Sequence, residues 1–273
     1  MNVRIDVKEV LRSKLKGKAD RIPAFIVNYL VRIIHQDEIN EILCKYEDLQ
    51  GVTFMQALIE DHFKVKLNVK HKENIPSDGK KYIFVSNHPL GGFDGICLSY
   101  LLGSHYGDNI KCFVNDLLLF IPNLRSIFIP INKHGAQSKE AAKKAEETYL
   151  SDNQILTFPA GICSRKNKGV ICDPEWKKSF IQKAIEYKRD IVPIYFEGHN
   201  SNFFYRLANF RKLFNIKMNL EMLYLPDELF NQKNKTFNII VGRPVSWQTF
   251  DSDRKPAKWA EWIKEEVYKL ADN

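Results

Sequence analysis

Apolar residues recur at two different spacings along the chain, and the change between them divides it near residue 65. In VKEVLRSKL and in PAFIVNYLVRIIHQDEINEIL they recur three and four positions apart, which is typical of amphipathic helices. Pro23 suits the first turn of the second helix, where the missing N–H would have no helical partner anyway. The pattern therefore predicts an N-terminal helical segment, residues 1–65.

From residue 66 onward, β-branched and aromatic runs alternate with helical stretches. The strand-like runs are KYIFVSN, IKCFVND, IFIPINK, QILTFPAG, IVPIYFEG and KTFNIIVGRPVSW. The predicted helices are AQSKEAAKKAEETYL, DPEWKKSFIQKAIEYKRD and PAKWAEWIKEEVYKL, the second opening with Asp173 as its cap and Pro174 in its first turn. The alternation predicts an α/β domain over residues 66–273, with a mixed, mostly parallel central sheet covered by helices.

Composition adds that this is an ordinary globular chain. Of its 273 residues, 44% are hydrophobic and 27% are charged. The five cysteines are scattered without a C-x-x-C pair, which favours reduced thiols in a cytosolic protein. We find no secretory signal at the N-terminus and no apolar run of about 18 residues. The expected location is the cytoplasm.

The net charge of +8 predicts an anionic partner, which could be nucleic acid, an acidic membrane, an acidic carrier protein or a phosphate-bearing substrate. Two stretches, residues 1–34 and NSNFFYRLANFRKLFNIK, combine basic residues with an apolar side. Each is either a helix packed on the core with a solvated edge or a surface that contacts an anionic bilayer.

Small and polar residues gather where the predicted strands end. These stretches are NHPLGGFD, NDLL, NKHG, FPAGICSRK and FEGHN. Because sites in open α/β sheets form beyond the carboxyl ends of the strands, we expect these five ends to converge.

The first of these stretches holds a histidine and an aspartate. His88 can accept a proton near neutral pH, since a free imidazole has a pKa of ~6.5. A carboxylate on its other ring nitrogen would orient it, and Gly91 and Gly92 let the loop fold Asp94 back towards it. The alternative is that His88 is a polar turn residue and that Asp94 caps the helix ICLSYLL.

Two further segments have unusual chemistry for their positions. FPAGICSRK combines a tight turn with Ser164, Arg165 and Lys166, which suits either an anion site or an ordinary basic loop. IVPI places Pro193 inside a strand, which requires a sheet edge, a bulge or a pocket wall.

Four segments together, NHPLGGFD, IFIPINK, FPAGICSR and IVPI, resemble in order the four sequence blocks of the glycerolipid (lysophospholipid) acyltransferase superfamily. The resemblance covers about residues 82–195 and is closest to the bacterial branch that acylates lyso-aminolipids such as ornithine and glycine lipids.

The resemblance implies that His88 and Asp94 are the catalytic pair. It implies transfer of a fatty acyl group from acyl-CoA or an acyl carrier protein to a hydroxyl of a lyso-lipid, with no bound cofactor or metal. Backbone N–H groups near Gly91 and Gly92, or in the FPAG turn, would stabilise the oxyanion. The implied substrate-binding residues are Asn87, Gly91, Gly92, Asn132, Lys133, Phe158, Pro159, Gly161, Ser164, Arg165 and Lys166, and the implied pocket wall is Val192 and Pro193.

The chain departs from the family pattern at three places. PLGGF is one residue longer than the usual spacer between the histidine and the aspartate. Ala160 replaces the glutamate of the third block, whose arginine is displaced to Arg165, and Lys133 stands for the arginine of the second. These departures lie mostly where the acceptor binds, so the resemblance implies acyl transfer more directly than it implies a glycerol-phosphate acceptor.

A rival interpretation is a non-catalytic basic module that binds membranes or nucleic acid, which would leave the His88–Asp94 loop without a purpose. A serine hydrolase, a phosphate-loop enzyme, a dinucleotide oxidoreductase and a zinc deaminase each lack their sequence signature. We therefore expect an anionic membrane surface at the inner face of the cell membrane, a lyso-lipid and an acyl carrier protein as partners, and no nucleic acid.

Overall fold

The computed structural model describes residues 4–15, 22–114, 121–130 and 137–272. The strands in these residues are β1 (Lys66–Lys70), β2 (Tyr82–Ser86), β3 (Ile110–Val114), β4 (Phe128–Pro130), β5 (Gln154–Thr157), β6 (Arg165–Asn167), β7 (Val170–Cys172), β8 (Asp190–Phe196) and β9 (Thr236–Val241). The α-helices are α1 (Val7–Leu15), α2 (Ala24–Ile33), α3 (Gln36–Lys45), α4 (Gly51–Gln56), α5 (Phe93–Tyr106), α6 (Gln137–Leu150), α7 (Ser179–Glu186), α8 (Asn202–Leu213), α9 (Leu225–Phe230) and α10 (Pro256–Lys269).

Seven strands form one sheet in the order β1-β9-β8-β2-β5-β3-β4. The five strands from β8 to β4 are mutually parallel, β9 runs antiparallel to β8, and β1 is parallel to β9. Strands β6 and β7 form a separate antiparallel hairpin. The prediction of a mixed, mostly parallel sheet is confirmed.

The sheet is buried on both faces, which explains why its central strands are almost wholly apolar. Phe84 and Val192 face a core that includes α5 and residues of α3 and α4, whereas Ile83 and Val85 face α7 and α10. Residues on both sides of the predicted boundary near residue 65 thus share one core, and the division into two segments stays a prediction. No helix in the described residues is long and apolar enough to cross a bilayer.

The prediction of helices in the N-terminal segment was correct, but the prediction that the second helix is continuous was wrong. The second predicted helix is interrupted at His35, which has a left-handed backbone (φ 57°) and separates α2 from α3. Contacts of the imidazole hold this turn, since Nδ1 lies 3.1 Å from Glu38 Oε1 and Nε2 lies 2.9 Å from Asp227 Oδ1. Helical periodicity continues across the break because both helices pack on the same body.

The prediction that a helix opens at Asp173 and Pro174 was wrong. Helix α7 begins at Ser179, and the residues from 173 to 177 form an irregular segment. The Asp173 carboxylate turns into the protein, where it accepts hydrogen bonds from the Ser164 hydroxyl (2.6 Å) and from Trp176 Nε1 (2.9 Å).

Pro193 lies in an interior strand, and of the three predicted explanations the bulge is the one observed. Ile194 pairs with Val241, and Ile191 pairs with Val245. Two residues therefore lie opposite three, which is the arrangement of a β-bulge. Proline is tolerated at a bulge because the ladder is locally interrupted there and the missing N–H costs little, while the Pro193 carbonyl still accepts from the Gly242 N–H (2.8 Å).

Candidate active site

Three of the five predicted strand ends meet at one edge of the sheet. Strands β5, β2 and β8 are adjacent and parallel, so the loops after Thr157, Ser86 and Phe196 lie side by side. Asn87 joins two of them, because its side chain donates to the Phe196 carbonyl (2.9 Å) and accepts from the Phe196 N–H (2.7 Å). The Asn87 side chain is therefore occupied by the main chain of β8.

The other two predicted ends, NDLL and NKHG, lie outside the described residues, and Asn132 and Lys133 lie there too. Their predicted contact with the acceptor stays a prediction.

His88 and Asp94 are brought together as a pair. His88 Nδ1 lies 3.1 Å from Asp94 Oδ2. The carboxylate is fully buried in the first turn of α5, where it also accepts hydrogen bonds from the N–H groups of Leu90 (2.9 Å), Gly91 (3.4 Å) and Gly95 (2.8 Å). Asp94 lies in the first turn of α5 and contacts the imidazole, but the cap residue of this helix is Gly92, so the alternative prediction that Asp94 caps the helix was wrong.

The longer loop between the pair is shaped by Gly91. Its φ of 82° favours glycine, and a Cβ there would lie 2.9 Å from the Leu225 side chain. By contrast, a Cβ on Gly92 would meet open space. The extra residue of PLGGF is therefore accommodated without separating His88 from Asp94.

The imidazole of His88 is packed but not sealed. It stacks on the Phe158 ring, with the ring centroids 4.2 Å apart, and its side chain keeps 14% of its surface exposed. Because an ionised carboxylate can only accept, the neutral ring carries its proton on Nδ1 and a lone pair on Nε2. A neutral His88 can therefore accept a proton through Nε2.

Charges around His88 favour its protonated form. Burial acts to lower the pKa of the imidazole, but the charge and hydrogen bond of Asp94, together with the charge of Asp173, outweigh burial and the opposing Arg165. The pKa of His88 is consequently raised above its ordinary value, which makes the neutral ring a stronger base.

The FPAG turn packs against this pair without offering the Gly161 amide. Gly161 has φ 69°, and its N–H closes the turn on the Phe158 carbonyl (3.0 Å). The Pro159 carbonyl accepts from the Lys177 N–H (3.0 Å). The N–H groups of Gly91 and Gly161 thus already have partners within the protein, and stabilisation of an oxyanion by donors near Gly91 and Gly92 or in the FPAG turn stays a prediction.

Ser164 and Arg165 also have internal partners. The Ser164 hydroxyl is buried and donates to Asp173 Oδ1 (2.6 Å), and its predicted contact with substrate stays a prediction. Arg165 donates to the Cys163 carbonyl (3.1 Å) and to the fully buried Glu221 (2.9 Å), which Arg211 also contacts (2.9 Å). Sequence reasoning missed Glu221 because it lies 56 residues from Arg165 in a stretch without a motif.

Lys166 and the predicted pocket wall lie elsewhere. Lys166 donates to the Asn202 side chain (3.1 Å) at the surface. Val192 is fully buried in the core, and Pro193 lies inside the sheet at the bulge; their role as a pocket wall stays a prediction.

A cavity of about 220 Å³ lies beside the main chain of the loop that carries His88. Its lining comes from the three strand ends, the β6–β7 hairpin and α10, and consists of Asn87, Pro89, Ser164, Ile171, Tyr195, Glu197, Gly198, His199 and Tyr268. The carboxyl edge of the sheet thus combines a basic imidazole with a neighbouring cavity of mixed polarity.

The chain is similar in sequence to known acyltransferases. A family model described as "Acyltransferase" matches residues 9–273. A lyso-glycine lipid O-acyltransferase of Bacteroides thetaiotaomicron is 51% identical over 266 residues, covering 97% of both chains. One of the same name from Phocaeicola vulgatus is 49% identical over 266 residues, covering 97% of this chain and 95% of its own. The crystal structure of the 1-acyl-sn-glycerophosphate acyltransferase PlsC from Thermotoga maritima aligns with 92% of this chain and 93% of its own, at 16% identity and a TM-score of 0.48.

Proposed function

Because the chain belongs to the acyltransferase family, within the lysophospholipid acyltransferase superfamily that its four blocks resemble, we propose that it esterifies a hydroxyl group of a lyso-glycine lipid. The acyl donor is a thioester of coenzyme A or of acyl carrier protein. The acceptor class is supported by two relatives near 50% identity over almost the whole chain, both named for that activity.

The observation that carries the proposed mechanism is the contact between His88 Nδ1 and Asp94 Oδ2. His88 Nε2 removes the proton from the acceptor hydroxyl as its oxygen attacks the thioester carbonyl. The tetrahedral intermediate then breaks its carbon–sulfur bond, and the imidazolium returns the proton to the leaving thiolate. Asp94 keeps Nδ1 protonated and stabilises the imidazolium, so no metal and no covalent enzyme intermediate is needed.

Purified protein tests this function when it is given labelled acyl-CoA or acyl carrier protein with one acceptor at a time. The acceptors are lyso-glycine lipid, lyso-ornithine lipid, lysophosphatidate and a no-acceptor control. We expect ester formation with kcat/KM about 10-fold or more higher for lyso-glycine lipid than for lysophosphatidate. Equal fatty acid release without acceptor would indicate a hydrolase, and no turnover with any acceptor would favour a non-catalytic binding module.

The proposal includes a membrane surface as the place where the acceptor is met. Two helices expose aromatic and aliphatic side chains on neighbouring faces, which we call the aromatic face: Phe25, Ile26 and Tyr29 of α2, and Phe203, Phe210 and Leu213 of α8 with the adjoining Phe214. Tyr224 joins the two helices. Its hydroxyl oxygen lies 2.5 Å from that of Tyr29, and the centroid of its ring lies 5.0 Å from that of the Phe203 ring.

The position of the aromatic face suits delivery of a lipid to His88. Leu225, which follows Tyr224, packs against Gly91 in the catalytic loop. Three basic residues in or just after α8 would attract an anionic bilayer: Arg206, Lys212 and Lys217. Peripheral binding at the inner face of the cell membrane is part of the proposal.

The double substitution Phe210→Ser with Leu213→Ser should weaken binding to vesicles that contain phosphatidylglycerol by about 10²–10⁴-fold, because each of the two side chains contributes about 1.5–3 kcal/mol when it is buried in the bilayer. Vesicle co-sedimentation at two salt concentrations measures the affinity. Leu150→Ser is the matched control, since Leu150 is equally exposed but lies on α6. Equal loss in the control, or no loss in the double variant, would contradict the assignment of this surface.

A further inference from the structure

Asp173 is a buried carboxylate that the proposed mechanism does not use. It follows β7 in an irregular segment and is 2% exposed. Oδ1 accepts hydrogen bonds from the Ser164 hydroxyl (2.6 Å) and from the backbone N–H of His88 (3.2 Å), and Oδ2 accepts from Trp176 Nε1 (2.9 Å). One side chain therefore ties the catalytic loop to the turn after β5.

The main chain of Asp173 is fixed as firmly as its side chain. Its N–H donates to the Tyr268 hydroxyl (2.8 Å), and its carbonyl accepts from Lys264 Nζ (2.7 Å). Both partners belong to α10, which packs on the sheet through its apolar side. The C-terminal helix thus holds the main chain of Asp173, which lies 85 residues after His88 in the sequence.

The chemistry of the partners favours an ionised side chain at this position. Burial raises the pKa of the Asp173 carboxyl, opposed by the hydrogen bonds from Ser164 and Trp176 and by the charge of His88. The indole and backbone N–H groups can only donate, so an asparagine amide would turn its NH₂ towards at least one donor. A carboxylate satisfies all three partners, whereas its nearest neutral isostere does not.

The charges that face His88 come from three different elements. Asp94 belongs to α5, Asp173 to the segment after β7, and Arg165 to β6. Arg165 opposes the other two and is itself paired with Glu221. Asp173 therefore adds a second negative charge beside an imidazole that becomes positive when it takes up a proton.

We propose that Asp173 is a positioning residue for His88, which fixes the main chain that carries the imidazole and supplies a second negative charge that stabilises the imidazolium. The inference rests on the proposed function, in which His88 is the general base. It assigns Ser164 and Trp176 as the residues that hold Asp173 in turn.

Asp173→Asn tests the inference with two readouts. We expect kcat to fall about 10-fold or more with the acceptor KM changed less than about threefold, because the base is misplaced while the binding surfaces remain. We also expect the pKa of His88, followed by NMR titration of its ring, to fall measurably, because a nearby negative charge is lost. The His88 signal is assigned from its absence in the His88→Ala protein.

Asp190→Asn is the matched control, since the Asp190 carboxylate accepts a backbone N–H, that of Trp247 (2.9 Å), outside the site. Its kcat and the pKa of His88 should remain within error of wild type. If Asp173→Asn does not fold, Trp176→Phe removes one donor and keeps the charge, and it should lower kcat while moving the pKa of His88 upward or not at all.

The outcomes separate the inference from the function beneath it. If Asp173→Asn folds and leaves both kcat and the pKa of His88 unchanged while His88→Ala is inactive, the inference fails and the proposed function stands. If His88→Ala keeps its activity, the proposed function fails whatever the NMR titration shows. Reduced kcat with an unmoved pKa and an equal loss in Asp190→Asn would show a merely structural role and would also overturn the inference.

Discussion

His88→Ala should lower kcat for acyl transfer by about 10²–10⁴-fold while the protein stays folded. The imidazole is the group that can accept the hydroxyl proton, with its Nε2 lone pair available while Nδ1 contacts Asp94. Removing a partly exposed ring leaves the hydrogen bonds of the loop main chain in place, so the loss should appear in kcat rather than in folding. Initial rates with saturating lyso-glycine lipid measure the effect.

His71→Ala is the control for this experiment. His71 is exposed and contacts Glu73 at the surface, remote from the strand ends that form the site. Its rate should match wild type, and both variants should show wild-type circular dichroism. A rate for His88→Ala within about twofold of wild type would remove His88 from the mechanism.

Asp94→Asn should lower kcat by a similar factor, about 10²–10⁴-fold, for a different reason. The carboxylate accepts from His88 Nδ1 and from three backbone N–H groups, so an amide NH₂ at this position would oppose at least one donor. The imidazole would lose both its orientation and the charge that stabilises its protonated form. The same change should also cost about 1–3 kcal/mol of stability, since it leaves a buried donor unpaired.

Thermal unfolding separates the two effects of Asp94→Asn. Below its unfolding midpoint the variant is folded, and the reduced kcat there reports on chemistry alone. Asp190→Asn again serves as control, because it alters a carboxylate that accepts a backbone N–H elsewhere. Full activity in folded Asp94→Asn would show that the carboxylate serves only the N–H groups of Leu90, Gly91 and Gly95, and it would remove Asp94 from the mechanism.

The parts of the site that could be predicted are those written in short stretches of sequence. His88 and Asp94 are six residues apart, and the glycines between them predict a loop that can fold Asp94 back against the imidazole. Strands β2, β5 and β8 are β-branched or apolar runs that end in small and polar residues, so their shared edge followed from the parallel sheet.

Asp173 and Glu221 could not be predicted in this way. Asp173 reaches the His88 N–H across 85 residues and Glu221 reaches Arg165 across 56 residues, and no local sequence pattern predicts either contact. Asp173 even imitates a helix cap, because Asp-Pro commonly opens helices. Instead, the Asp173 carboxylate accepts hydrogen bonds from Ser164, His88 and Trp176, and the segment stays irregular.

The break at His35 has the same kind of origin. Apolar spacing predicts one continuous helix, but the imidazole meets Asp227, which is 192 residues away, and stacks on Phe230. The left-handed turn is therefore held partly by Asp227 and Phe230, which lie outside the N-terminal sequence, in addition to the local contact with Glu38.

The pH dependence of kcat/KM tests most directly whether His88 is the base. A base must be neutral to act, so the rate should fall as the pH drops through the pKa of His88, and Asp94 and Asp173 hold that pKa above the ordinary value of ~6.5. We predict that kcat/KM falls as the pH is lowered and that the midpoint of this fall lies above pH ~6.5. The midpoint should coincide with the pKa of the His88 ring measured by NMR. A rate that stays constant while NMR shows the imidazole becoming protonated would contradict the account.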